Sequence, residues 1–335
     1  MRVAVIGAGS WGTTVAILAA PSAEVRLWAR RPDLAEAISA GRVNPDYLQG
    51  ERLPDAVTAT SDLATALDGA DVVVMAVPSH GFRAVLEDAA PYIATDVPIV
   101  SLTKGIEADT LMRMTEVVAD VLDHDPARVG VLTGPNLADE IVAGQPALAV
   151  VAFTDVAVAN KIQSLFMGPR FRVYTNPDVV GAESAGALKN VMAIAAGMAH
   201  GLGYGDNSKA ALVTRALAEL TRLGVVLGGQ PLTFAGLAGM GDLVATCFSD
   251  RSRNRRVGVG LGEGRNLGEI TAEMHMVAEG VRTTEAVLAL AEGHGVEMPI
   301  AETVGRVLYQ GEKPADLVHG LMTREPRAEM HGISD

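Results

Sequence analysis

Over its first ~178 residues the chain alternates short apolar runs with helical stretches. The runs are 2–6, 25–28, 72–77, 99–102, 129–132, 148–151 and 172–174, most of them near-continuous Val, Ile, Leu and Ala. Unbroken runs of that length fit parallel strands covered on both faces. Residues 33–39, 61–67, 110–122 and 156–166 carry helical patterns between them. Such alternation predicts a doubly wound α/β sheet. After Asp178 the β-branched runs stop, and 178–199 and 208–227 predict long helices, followed by shorter ones ending near Leu321. The expected architecture is a doubly wound α/β domain over 1–178 and an all-α domain over 179–335. Asn176-Pro177-Asp178 marks the boundary, with a proline and a capping aspartate to open the first long helix.

The length of 335 residues suits two domains of ordinary size. Apolar residues make up 49% and charged residues 20%, which excludes a disordered chain. Twenty-seven Lys and Arg against 40 Asp and Glu give a net charge of −13, which argues against nucleic acid or an anionic membrane as a general partner. The one cysteine, Cys247, excludes an internal disulfide and any cysteine-built zinc site, and the histidines never fall at metal-ligand spacing. No metal is expected. Residues 3–20 are uncharged but interrupted by Gly7, Gly9, Ser10, Gly12, Thr13 and Thr14, unlike a signal or membrane helix. No later apolar stretch reads as long enough to span a bilayer. The expectation is a soluble, cytoplasmic protein without stable membrane insertion.

Gly7-Ala8-Gly9-Ser10-Trp11-Gly12 follows the first strand and opens a helix. The first glycine permits the tight turn, the second admits a pyrophosphate, and the third lets helix and strand pack closely; this is the Rossmann-like dinucleotide fingerprint. The second strand ends in Trp28-Ala29-Arg30-Arg31, with no acid for ribose hydroxyls until Asp33. Two guanidiniums there favour a ribose 2′-phosphate, hence NADP over NAD, although an exposed basic turn competes for at least one of them.

Lys189 is the only formally charged residue between Glu183 and Asp206, on a helical face of Ala182, Ala185, Gly186, Ala193 and Ala196. A lysine in such a setting is costly to bury unpaired and loses basicity there, which makes it a candidate proton donor and acceptor. Gly239-Met240-Gly241-Asp242 precedes Ser252-Arg253-Asn254, and four arginines (251, 253, 255, 256) crowd six positions. Guanidiniums with a hydroxyl and an amide point to a local phosphate site. Arg255 and Arg256 read as a solvated basic face, and Arg253 with Asn254 as the functional pair. Thr103-Lys104-Gly105 and Thr133-Gly134-Pro135-Asn136 lie at strand ends where ligands of such sheets gather.

Together these residues resemble the bacterial NAD(P)-dependent glycerol-3-phosphate dehydrogenase family, from Gly7 to about Leu321. The motifs are GAGSWGT, SLTKGIE, GPNLADE, GALKNV, GLAGMGDL, SRN and Val277-Ala278-Glu279-Gly280. The resemblance implies reversible reduction of dihydroxyacetone phosphate to sn-glycerol 3-phosphate by NADPH or NADH, supplying phospholipid synthesis. It implies that Ser10, Trp11, Arg30, Arg31, Lys104, Ala138, Arg253, Val277 and Glu279 bind the cofactor, beside Gly7, Gly9 and Gly12. It implies Lys189 as catalytic residue, and Lys104, Gly134, Asn136, Lys189, Asp242, Ser252, Arg253 and Asn254 as substrate-binding. Asn136 departs from the serine that the family commonly has there. Lys189 is expected to protonate the carbonyl oxygen, with Lys104 adding positive charge. Asp242 is expected to orient either Lys189 or a substrate hydroxyl. A homodimer is expected on resemblance and base rates.

A β-hydroxyacid dehydrogenase is the same-class rival, but it needs no second phosphate site. A catalytically silent NADPH-binding regulator is the other-class rival, and predicts no dependence on Lys189. An RNA-binding role for the arginine cluster is disfavoured by 4% aromatic content and the net charge.

Overall fold

The computed structural model describes residues 1–274, 278–329 and 331–332. The chain divides into two compact units, Met1–Thr103 with Met112–Val179, and Lys104–Leu111 with Val180–Asp335. The short excursion at Lys104 places that residue with the second unit.

The first unit is built on eight strands: β1 (Arg2–Ile6), β2 (Glu24–Trp28), β3 (Val57–Thr60), β4 (Val72–Met75), β5 (Ile99–Ser101), β6 (Val129–Thr133), β7 (Ala147–Ala152) and β8 (Phe171–Asn176). They lie in the order β3-β2-β1-β4-β5-β6-β7-β8. The strand order reverses between β1 and β4, and ligands of open α/β sheets bind outside the strand ends at such a point. Successive side chains of β1 face opposite sides. Val3 and Val5 join one buried cluster with Val15, Ala16 and Ile162, while Ala4 and Ile6 join another with Phe82, Leu86 and Met114.

Two features differ from the sequence expectation. Val57–Thr60 is a strand that the apolar runs do not announce, because it lies at the sheet edge and buries only Val57. The sheet is also mixed, since β7 runs antiparallel to β6 and β8 follows β7. Only the helix Ala138–Val142, five residues long, connects β6 to β7. Parallel crossovers usually carry a longer helix, and an apolar run reads the same in either direction.

The second unit is helical among its described residues. Its axis is the 23-residue helix Val179–Gly201, buried without interruption from Gly181 to Ala199. The helix Arg253–Gly262 crosses it with backbone against backbone. A Cβ on Gly197 would sit 2.8 Å from Gly258 Cα, and one on Gly201 would sit 3.0 Å from Gly262 Cα. A Cβ on Gly258 would collide with the Ile194 carbonyl oxygen. Four glycines therefore set how closely the two helices approach.

Pro231–Phe248 does have the length and mean hydropathy (1.3) of a membrane span, contrary to the sequence reading. It is folded as the short helix Pro231–Phe234, a π-helical turn over Leu237–Gly241 and the helix Asp242–Phe248, with a buried aspartate within it.

Glu219, only 2% exposed, receives the backbone N–H groups of Ile300 (2.9 Å) and Ala301 (3.3 Å) at the start of the helix Pro299–Gln310. Burial outweighs those bonds and pushes its carboxyl up to about 7. A group raised in this way keeps its proton in the folded chain between about 4.5 and 7 while the unfolded chain has released it, so its contribution to stability declines as pH rises through that window. Glu219→Gln should remove that slope, read as denaturant midpoints from pH 5 to 8. Gly258→Ala should cost about 1–3 kcal/mol or more by overpacking, whereas Gly320→Ala, with open space around it, should not lower the midpoint.

Candidate functional site

In the first unit the glycine loop leaves the end of β1. Gly7 sits at φ +120°, where side chains are strained, and a Cβ there would lie 2.6 Å from the Ala76 carbonyl oxygen. A Cβ on Gly12 would collide with the Gly7 oxygen, so the third glycine seats the helix Ser10–Ala19 against the strand end. Gly9 is different. Nothing lies within 4 Å of its Cβ position, so protein packing leaves that side open to a ligand. The first N–H groups of the helix Ser10–Ala19 have no intrahelical acceptor, and half-buried Ser10 and Trp11 stand there. These features fit a dinucleotide pyrophosphate.

Asn44 holds this loop, although nothing around it in the chain marks it. Its side chain is fully buried, and Nδ2 donates to the Ala8 carbonyl and to Thr13 Oγ1, each at 2.9 Å. Its Oδ1 accepts from the backbone N–H groups of Asp46 (3.3 Å) and Tyr47 (3.2 Å). Arg30 and Arg31 are both exposed. Arg31 pairs with Asp46 and lies 3.7 Å from Asp33, whereas Arg30 makes no ion pair among the described residues.

The loop after β6 presents Gly134 at φ +139° and the half-buried Asn136. Asn136 Nδ2 donates to the Leu148 carbonyl at 3.0 Å, while its buried Oδ1 and the buried hydroxyl of Thr133 lack partners among the described residues. Such orphaned polar atoms at a strand's C-terminal end are the kind that a ligand satisfies. Ala138 opens the next short helix.

In the second unit Asp242 bridges two lysines. Its Oδ1 lies 2.7 Å from Lys189 Nζ and its Oδ2 lies 2.6 Å from Lys104 Nζ. The side chains of Lys189 and Asp242 are 6% and 3% exposed, and that of Lys104 is 19% exposed. The π-helical turn delivers Asp242 to the first turn of its helix, closed by Gly241 N–H donating to the Gly236 oxygen at 3.1 Å. Thr246, one turn on, donates to the Asp242 backbone oxygen at 2.6 Å and accepts from Lys189 Nζ. An ammonium has three donors, so one N–H of Lys189 remains without an acceptor among the described residues. Burial pushes Lys189 down to about 8; Asp242 opposes that fall and the nearby Lys104 charge adds to it. Burial likewise pushes the neighbouring Cys247 thiol up to about 12, which makes it inert.

A relay of amides fixes the surroundings. Asn190 Nδ2 donates to the Lys104 carbonyl, Asn254 Nδ2 donates to Asn190 Oδ1, and Gly280 N–H donates to Asn254 Oδ1, at 3.0, 3.0 and 2.9 Å. Ser252 caps the helix Arg253–Gly262, accepting from Arg255 N–H. Arg253 is exposed at that helix start, and Glu279 opens the helix Glu279–Gly293. The structure corrects the reading of Arg255: it is 8% exposed and paired with Asp250 at 2.5 Å, while Arg256 is exposed. A sequence shows four arginines within six positions but not which of them turns inward. Val277 lies outside the described residues. Thr246 and Asn44 left no signal in the sequence, and Asn190 is marked only by standing beside Lys189 in GALKNV.

The structure thus brings Lys104, Lys189 and Asp242 together, and it brings Asn254 to them through Asn190. Two family models match this chain: NAD-dependent glycerol-3-phosphate dehydrogenase N-terminus over residues 2–159, and C-terminus over residues 178–319. Glycerol-3-phosphate dehydrogenase [NAD(P)+] 2 of Sphingopyxis alaskensis is 54% identical over 332 residues, 99% of each chain. Glycerol-3-phosphate dehydrogenase [NAD(P)+] of Streptomyces coelicolor is 51% identical over 98% of each. The crystal structure of glycerol-3-phosphate dehydrogenase from Coxiella burnetii superposes with a TM-score of 0.91 at 38% identity, covering 96% of this chain and 99% of the other. The chain belongs to the NAD-dependent glycerol-3-phosphate dehydrogenase family.

Proposed function

We propose that this protein reduces dihydroxyacetone phosphate to sn-glycerol 3-phosphate, reversibly, with NADPH or NADH, and so supplies glycerophospholipid synthesis. The observation that carries the chemistry is the buried Lys189 ammonium, held by Asp242 and Thr246 with one N–H left to give. The coenzyme, when bound, supplies the hydride to the carbonyl carbon. Lys189 donates its open N–H to the substrate oxygen and transfers that proton as the alkoxide forms; in the reverse direction neutral Lys189 takes the hydroxyl proton. Lys104 adds positive charge where the alkoxide develops. Asp242 orients Lys189, which accounts for its two-lysine contact better than a role on a substrate hydroxyl. Ser252, Arg253 and Asn254 hold the substrate phosphate, whose binding orients the remote carbonyl, and Gly134 with Asn136 completes the substrate contacts.

In this reading residues 1–178 bind the dinucleotide and 179–335 bind the substrate. Gly7, Gly9, Ser10, Trp11 and Gly12 receive the pyrophosphate, and Arg30 and Arg31 receive the ribose phosphate. Ala138, Arg253, Val277, Glu279 and Lys104 complete the nucleotide contacts. NADPH is favoured because Arg30 is uncompensated. The enzyme works in the cytoplasm as a homodimer, the commonest symmetric assembly.

The test is oxidation of NADPH and NADH in parallel with dihydroxyacetone phosphate. Lys189→Ala should lower kcat by about 10²–10⁴-fold with the fold intact, whereas unchanged kcat rejects the role. Because Lys189 must be protonated for reduction, kcat for reduction should fall as pH rises through about 8, and oxidation of glycerol 3-phosphate should rise through the same value. Asp242→Asn removes the group that raises the Lys189 pKa, so this inflection should move to lower pH. Arg253→Ala should raise KM for dihydroxyacetone phosphate strongly, and an unchanged KM would sink the phosphate assignment.

A further inference from the structure

The second strand ends without the acid that ordinarily reads the ribose hydroxyls of NAD. The next acid in the chain, Asp33, lies on the first turn of the helix Pro32–Gly41. The fold brings another to the same place from farther along. Asp46, in the loop after that helix, has its carboxylate on the Arg31 guanidinium. We infer that Asp46 sets the balance between NADPH and NADH, accepting the ribose hydroxyls of one and competing with the 2′-phosphate of the other for Arg31. This rests on the first unit being the coenzyme site.

The loop that carries Asp46 is braced. Asn44 Oδ1 holds the N–H groups of Asp46 and Tyr47, and its Nδ2 holds the Ala8 carbonyl in the middle of the glycine loop. A fully buried side chain thereby ties the Asp46 backbone to the loop that would receive the pyrophosphate. The base of the Asp46 loop is closed by a bridge between Val43 and Arg52 and by Leu53 N–H donating to the Arg42 oxygen at 2.8 Å. Asp46 therefore stands at a fixed station relative to both the phosphate loop and the end of β2.

The two arginines then differ in kind. Arg30 carries an uncompensated charge, while Arg31 faces Asp46 and, at 3.7 Å, Asp33. The side chains of Arg31 and Asp46 are 52% and 40% exposed, so their pair is solvated and opens readily. A 2′-phosphate takes Arg31 by displacing the Asp46 carboxylate and meets that carboxylate's negative charge in doing so. A 2′-hydroxyl meets no such repulsion and can donate to the same carboxylate. One exposed pair thus tempers the NADP preference of two arginines and leaves a site that accepts both coenzymes.

Asp46→Asn keeps the shape and removes the charge, and the exposure of the pair leaves the fold undisturbed. Titration calorimetry with NADP⁺ and with NAD⁺ should show the affinity ratio moving toward NADP⁺ by roughly tenfold. The ratio of kcat/KM for NADPH over NADH should move in the same direction, with KM for dihydroxyacetone phosphate unchanged. Asp46→Ala should repeat the shift. Ratios within about twofold of the wild type in both variants overturn the role of Asp46. If the wild-type chain binds neither coenzyme, the coenzyme-site reading itself falls and takes this inference with it.

Discussion

Two lysine ammonium groups meet in a buried place because one carboxylate lies between them. Without Asp242, Lys104 and Lys189 would repel each other in a poorly solvated setting, and burial already lowers the affinity of Lys189 for its proton. With it, each ammonium takes a separate oxygen, and Lys189 stays protonated near neutrality while remaining able to let its proton go. The other features of the second unit serve that arrangement. The π-helical turn delivers Asp242, Thr246 fixes the Lys189 head, and Asn190 pins the backbone of Lys104.

Glycines allow the relay of amides to form. Gly197, Gly201, Gly258 and Gly262 let the helices Val179–Gly201 and Arg253–Gly262 cross at backbone contact, which brings Asn254 within reach of Asn190. A Cβ on Gly280 would lie 2.7 Å from the Asn190 oxygen, so a third helix joins on the same terms. The first unit repeats the principle with Asn44, one buried amide satisfying the glycine loop on one side and the Asp46 loop on the other. Buried amides bonded in this way fix geometry without introducing charge.

Much of this was legible in the chain. The glycine loop was readable because its demands are local: a positive φ at Gly7 and close packing at Gly12 need no knowledge of distant residues. Lys189 was readable because a lone charge on an apolar helix is anomalous wherever that helix packs. Thr246 and Asn190 were not, since a threonine and an asparagine on helices are unremarkable until their partners are known. Lys104 and Asp242 are 138 positions apart, and nothing along the chain pairs them.

Hydrophobic period, glycine and isolated charge act over a few residues, so the type of most elements and the residues able to do chemistry can be read along the chain. Which groups face each other is settled in three dimensions. The tertiary structure reversed β7, gave the edge strand Val57–Thr60 its place, and buried Arg255 while pairing it with the exposed Asp250. It also brought Asp46 to an arginine whose own neighbourhood in the chain looked simply basic. Electrostatic partnership depends on distance in space, which the chain sets only after it has folded.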